Sequence, residues 1–137
     1  MFLLDTNVVS ELRRARPHGA VVAWVNSAPK GSLRICAVTL GEIQRGVEIT
    51  RGRDPAKARE IEIWADKLEH SFSVIFADAT VFRRHAKLIH GRSSSIYEDA
   101  LIAATALVYD FVVVTRDVAD FKGFAVRFID PLRFRGD

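Results

Sequence analysis

The chain opens on a short apolar run, Phe2-Leu3-Leu4, that stops at Asp5. Runs of the same kind recur at 33–38 (LRICAV), 73–77 (SVIFA), 111–115 (FVVVT) and 125–130 (AVRFID). They are mostly continuous rather than alternating, which predicts strands buried on both faces. Between them the apolar spacing changes to three and four residues, and this predicts helices over 8–13, 19–27, 39–50, 56–71, 79–90 and 98–110. Pro55 stands where the first turn of a helix tolerates proline, and Gly91 to Ser95 reads as a polar loop. Strand and helix in alternation predict an α/β fold, an open and mostly parallel sheet flanked by helices in three layers. No repeat and no linker interrupts the 137 residues, so a single domain over 1–137 is expected.

Composition adds exclusions. With 49% hydrophobic and 27% charged residues, the chain is neither disordered nor fibrous. No apolar run approaches the ~18–20 residues that span a bilayer. No basic stretch precedes an apolar one at the start, so no secretory leader is expected. The single cysteine, Cys36, lies in an apolar run and reads as a buried thiol, which suits a reducing, cytoplasmic setting. The net charge of +3 is compatible with a polyanionic partner without identifying one.

The acids change the picture. Asp5 and Asp117 follow the apolar runs 2–4 and 111–115, at what would be their carboxyl ends. Glu42 falls in the first turn of a helix that follows a strand, and Asp99 in the first turn of the helix leading into 111–115. In right-handed strand–helix–strand units helices start at the carboxyl edge, so topology alone gathers all four on the edge where open parallel sheets bind ligands. Four carboxylates in one crevice repel one another and stay ionised together only beside cations. An all-oxygen set without His or Cys suits Mg²⁺ or Mn²⁺ better than Zn²⁺.

Except for Asp5, since strand ends rarely need an acid, each acid also has a plainer reading. Thr39-x-x-Glu42 and Ser95-x-x-Glu98 both match helix capping boxes, Asp99 suits the positive end of a helix, and Asp117 suits a turn. Arg side chains favour bidentate phosphate contact, and Arg116, beside Asp117, is the best placed of them. Trp24 and Trp64 fall at helical apolar spacing and read as packing residues. The four histidines show no ligand spacing, and the basic tail PLRFRGD is open to RNA or a partner. Other classes were weighed. An aspartate-nucleophile phosphatase would want a second acid where Asn7 stands, and a non-catalytic binding module would not need all four acids.

The segments LLDTNVVSEL, AVTLGEIQRGVE, EDALIAATAL and VVVTRDVADF resemble, in order and spacing, the four signature segments of PIN domains. The likeness is nearest to the VapC ribonuclease toxins of type II toxin–antitoxin systems, in their FitB-like branch, and runs over essentially the whole chain. The resemblance implies a Mg²⁺- or Mn²⁺-dependent endoribonuclease that hydrolyses RNA phosphodiesters with a metal-activated water. By it Asp5, Glu42, Asp99 and Asp117 are catalytic metal ligands, supported by Thr6, Asn7 and Thr115, with Glu98 placed to share the role of Asp99. Arg116, Arg13 and Arg92 are the expected phosphate contacts. The implied partners are RNA, a cognate VapB-like antitoxin that neutralises the toxin, and a second copy of the chain. Operator DNA would be bound only through the antitoxin.

Overall fold

The computed structural model describes residues 1–136, so the last residue of the basic tail lies outside the described residues. Five strands form the sheet: β1 (Phe2–Leu4), β2 (Leu33–Cys36), β3 (Ser73–Ile75), β4 (Val112–Val114) and β5 (Phe128–Ile129). Their order is β3-β2-β1-β4-β5, and every pairing is parallel. The connecting helices are α1 (Thr6–Glu11), α2 (Gly19–Ser27), α3 (Ala37–Arg51), α4 (Pro55–Ser71), α5 (Ala79–Ile89), α6 (Tyr97–Tyr109) and α7 (Val118–Lys122).

The pleat divides the core in two. Leu3 pairs in register with Val113, and both enter a cluster with Ala100, Ile102, Ala103 and Phe121 from α6 and α7. One residue further on, Leu4 pairs with Ile35 and Val114, and these face Val8, Val21, Trp24 and Leu68 on the opposite side. A strand with both faces covered has no polar position to offer, which is why these runs are continuous. Trp24 is buried in the second cluster, its ring edge-on to Phe2 at 5.1 Å, and Trp64 packs against the same cluster. Cys36 is buried, and burial pushes its thiol up to about 12, with a hydrogen bond from Thr105 opposing the rise.

Several boundaries differ from the sequence reading, each for a local reason. The first helix starts at Thr6 rather than residue 8, because Asp5 caps it by accepting from the Thr6 backbone N–H at 2.8 Å. β2 ends at Cys36 and α3 begins at once at Ala37. Thr39 is therefore inside the helix and buried, so the Thr39–Glu42 capping box does not form. The Ser95–Glu98 box is absent too: Ser94–Ile96 is a 3-10 turn capped by Ser93, and Ile96 precedes α6 with no side-chain cap. β3 stops at Ile75, β4 covers only 112–114 and β5 only 128–129. α7, five residues long, is too short to show in apolar periodicity.

Candidate active site

The three central strands end together, and the register places Leu4, Ile35 and Val114 side by side at that edge. The next residues along the chain therefore meet. Asp5 is buried, at 3% exposure, and its carboxylate is held on both oxygens. Oδ1 accepts from the Thr6 N–H, and Oδ2 accepts from the Thr115 hydroxyl at 2.7 Å. Thr115, fully buried, also accepts from the Asp117 backbone N–H at 2.9 Å. One hydroxyl thus couples two acids that are far apart in sequence.

Thr6 brings in a third acid. Its hydroxyl donates to Glu42 Oε1 at 2.7 Å and lies 2.9 Å from the Thr39 hydroxyl. Asn7 bridges to the other side: its amide donates to Asp117 Oδ2 at 2.9 Å, while its carbonyl oxygen accepts from the Arg116 backbone N–H at 3.4 Å. The segment Asp5-Thr6-Asn7 therefore touches the ends of β4 and α3 at once. Asp99, half-buried in the first turn of α6, completes the edge without a hydrogen bond of its own among the described residues.

The electrostatics confirm that these groups share one field. Burial pushes the Asp5 carboxyl up to about 6 against the bonds from Thr115 and Thr6, and the charges of Glu42 and Asp117 add to the rise. Asp99 is also pushed up to about 6, by burial first and then by Asp5, Asp120, Asp117 and Glu98. Glu42 is raised by burial, with Thr6 opposing and Asp99 and Glu98 adding to the rise. Carboxyls raised by burial and by one another on one edge mark a candidate functional site.

The donor set fits a hard divalent cation. It is all oxygen, negatively charged and partly buried. Among the described residues, no three Asp, Glu, His or Cys side chains close into a ready-made cage.

The arginines are placed differently from the sequence reading. Arg116 does not stand free for phosphate, because its guanidinium donates to Glu11 Oε1 at 3.0 Å. Arg92 donates to the Gly123 carbonyl at 2.7 Å and lies 5.0 Å over the Phe124 ring, so it clamps the turn after α7. Arg13 is exposed and lines a cavity of about 200 Å³ with Thr6, Ser10, Glu42, Thr50 and Trp64, next to the acids. Two residues were missed. Glu11 is 97% buried, and its signal is a position three residues after Val8, on the same helix face. Asp120 adds to the field at Asp99 and lies one turn beyond Asp117.

With this geometry in place, the comparisons with known proteins are specific. The family model described as PIN domain matches residues 2–126. The VapC ribonuclease of Sinorhizobium fredii is 33% identical, covering 96% of this chain and 97% of that protein. Toxin FitB of Neisseria gonorrhoeae is 32% identical over 96% of this chain and 98% of its own. The crystal structure of FitAcB from the same organism superposes with a TM-score of 0.79 at 30% identity, covering 98% of this chain and all of that one. The family model takes in β1 to β4 and all four acids of the carboxyl edge, and both relatives exceed 30% identity over nearly the whole chain: the chain belongs to the PIN domain family.

Proposed function

We propose that this chain is the ribonuclease toxin of a VapBC-type toxin–antitoxin module, cutting RNA phosphodiesters at the carboxyl edge of its sheet with a Mg²⁺ or Mn²⁺ ion. The observation that carries the reading is the gathering of Asp5, Glu42 and Asp117 at one sheet edge by hydrogen bonds through Thr115, Thr6 and Asn7, with Asp99 beside them in the first turn of α6. Likeness to a VapC ribonuclease and to Toxin FitB supports the reaction class.

Asp5, Asp99, Asp117 and Glu42 would hold the ion. When bound, it would lower the pKa of a water and offset charge gathering on the phosphate oxygens. The protein's own part is orientation. Thr115 fixes Asp5 relative to the backbone of Asp117, Thr6 fixes Glu42, and Asn7 fixes Asp117. Partners of ligating carboxylates set their direction and basicity in this way. The partners we assign are an RNA substrate, a VapB-like antitoxin that blocks the edge, and a second copy of the chain. Operator DNA would be reached through the antitoxin. No described helix is long and apolar enough to cross a membrane.

The test is cleavage of labelled cellular RNA by antitoxin-free protein in Mg²⁺, in Mn²⁺ and in EDTA, with Asp5→Asn alongside. Discrete products that need metal and vanish in the variant are expected. Folded wild-type protein that binds RNA equally in EDTA and never cuts it would replace the nuclease by a binding module.

A further inference from the structure

Arg116 is paired with Glu11 and Arg92 with the Gly123 carbonyl, and a different surface carries unpaired charge. Between residues 79 and 97 stand Arg83, Arg84, Lys87 and Arg92, with no Asp or Glu. These four cations exceed the whole formal net charge of +3, although the segment is only 19 residues long.

The structure sorts that charge onto one face. Thr80, Arg83, Arg84 and Lys87 are exposed along α5 at spacings of three and four, and together they line a concavity of about 290 Å³. Val81 and His85 bury the opposite face against α6. Among the described residues, Arg83, Arg84 and Lys87 make no ion pair. The nearest acid in sequence, Asp78, is already engaged by the Tyr109 hydroxyl and the Val81 N–H. Like charges at such spacing destabilise a helix. An ordinary solvated face mixes signs instead, as α4 does with its Lys57–Glu60 pair and with Glu62 bound to Arg51.

The helix also points the right way. Asp78 at its start meets Tyr109 at the end of α6, and His85 contacts the carbonyl of Tyr97 at the start of α6. α5 is therefore antiparallel to α6, and its basic stripe rises from Thr80 towards the end of α6 that carries Asp99.

We infer that the α5 stripe of Thr80, Arg83, Arg84 and Lys87 is a docking track for the phosphate backbone of a single RNA strand whose scissile bond lies at the acid edge. The inference rests on the ribonuclease reading. Such contacts are sequence-independent and strongly salt-dependent.

The test compares wild-type protein with Arg83→Gln/Arg84→Gln/Lys87→Gln on α5 and with Lys57→Gln/Arg59→Gln/Lys67→Gln on α4. Both triple variants remove the same charge from exposed helical positions, and glutamine keeps helix propensity. Binding of a short unstructured RNA is titrated in EDTA across a salt series, with cleavage in Mn²⁺ and molar mass measured in parallel. The α5 variant should bind roughly tenfold or more weakly and lose about 2 from the slope of log K against log salt, while the α4 variant matches wild type. Equal weakening of both variants, no weakening in the α5 variant, or a wild type that cuts RNA without binding it in EDTA would each overturn the track. A smaller molar mass for the α5 variant would overturn it as well, making the stripe a contact between copies. Wild-type protein that neither binds nor cuts would instead remove the ribonuclease reading itself.

Discussion

Arg116, the residue next to Asp117, closes its guanidinium onto Glu11 at 3.0 Å. Glu11 is 97% buried, and its second oxygen, Oε2, has no hydrogen bond although Arg14 Nε stands 3.2 Å away. The pair ties the last turn of α1 to the segment between β4 and α7. Breaking such a pair leaves the buried charge facing only the mostly exposed Arg14, whereas neutralising that charge does not. Arg116→Ala should therefore cost about 3 kcal/mol in urea unfolding, and Glu11→Gln clearly less, because Arg116 is one-third exposed and can turn to water. Equal costs would overturn this account of the pair. Both variants should lower metal affinity, since Arg116 N–H also fixes Asn7, the partner of Asp117.

Asp5 has two roles that substitution can separate. It caps α1 and it is the most buried acid of the edge. Asp5→Ala removes both, so cleavage should disappear with a loss of about 1 kcal/mol from the cap. Asp5→Asn retains an acceptor for the Thr6 N–H but puts an amide NH2 where Oδ2 accepts from Thr115, so it removes the charge and that one bond. It should be as inactive as the alanine variant but melt above it near neutral pH without metal. Substantial cleavage by Asp5→Asn would show that this carboxylate is not required.

The apolar skeleton was legible, and the polar detail was legible only where topology fixes it. Leu3, Leu4, Val113 and Val114 announce central strands because both pleat faces must be covered. The carboxyl-edge position of the four acids follows from strand–helix order alone, since a parallel sheet leaves its crossovers little choice of where to start. What escaped depends on a single hydrogen bond or a single turn. Thr39 looked like a cap because its residue type suits one, yet α3 starts two residues earlier and turns its hydroxyl towards Thr6. Arg116 looked free because its partner Glu11 is remote in sequence, and the burial of Glu11 is visible only once α1 is docked. Asp5 is a cap as well as an edge acid, a role that shows only once α1 is seen to start at Thr6.

The pH dependence of stability carries a definite sign. Asp5 and Asp99 are raised from 3.8 to about 6, so the folded state holds their protons more tightly than the unfolded chain. Their contribution to stability is full below the unfolded value and is lost as pH rises through about 6. Glu48, Glu62 and Asp78 are shifted downward and act in the opposite sense, but at more acid pH than this window. In EDTA the melting temperature should therefore fall between pH 5 and 7. Millimolar-scale Mg²⁺ or Mn²⁺ should reverse the trend, with a stabilisation that grows as the acids ionise. A metal effect equal at pH 5 and pH 7 would place the ion elsewhere.

Thr115 offers the sharpest test of how the edge is held. Its hydroxyl donates to Asp5 Oδ2 and accepts from Asp117 N–H, so it fixes two acids without being one. Thr115→Val nearly preserves volume and removes both bonds. The loss leaves a buried carboxylate oxygen and a backbone N–H unsatisfied, at a cost of about 1–3 kcal/mol for each buried group. Because the Thr115 bond holds the Asp5 carboxyl down against burial, its removal lets that carboxyl rise further. The acidic limb of the cleavage profile should then move to higher pH, and metal affinity near pH 6 should fall more than at pH 8. Thr115→Ser, which keeps the hydroxyl, should restore the wild-type limb while retaining part of the stability loss. A profile unmoved in Thr115→Val would separate Asp5 from the ionisation that governs cleavage, whatever the variant does to stability.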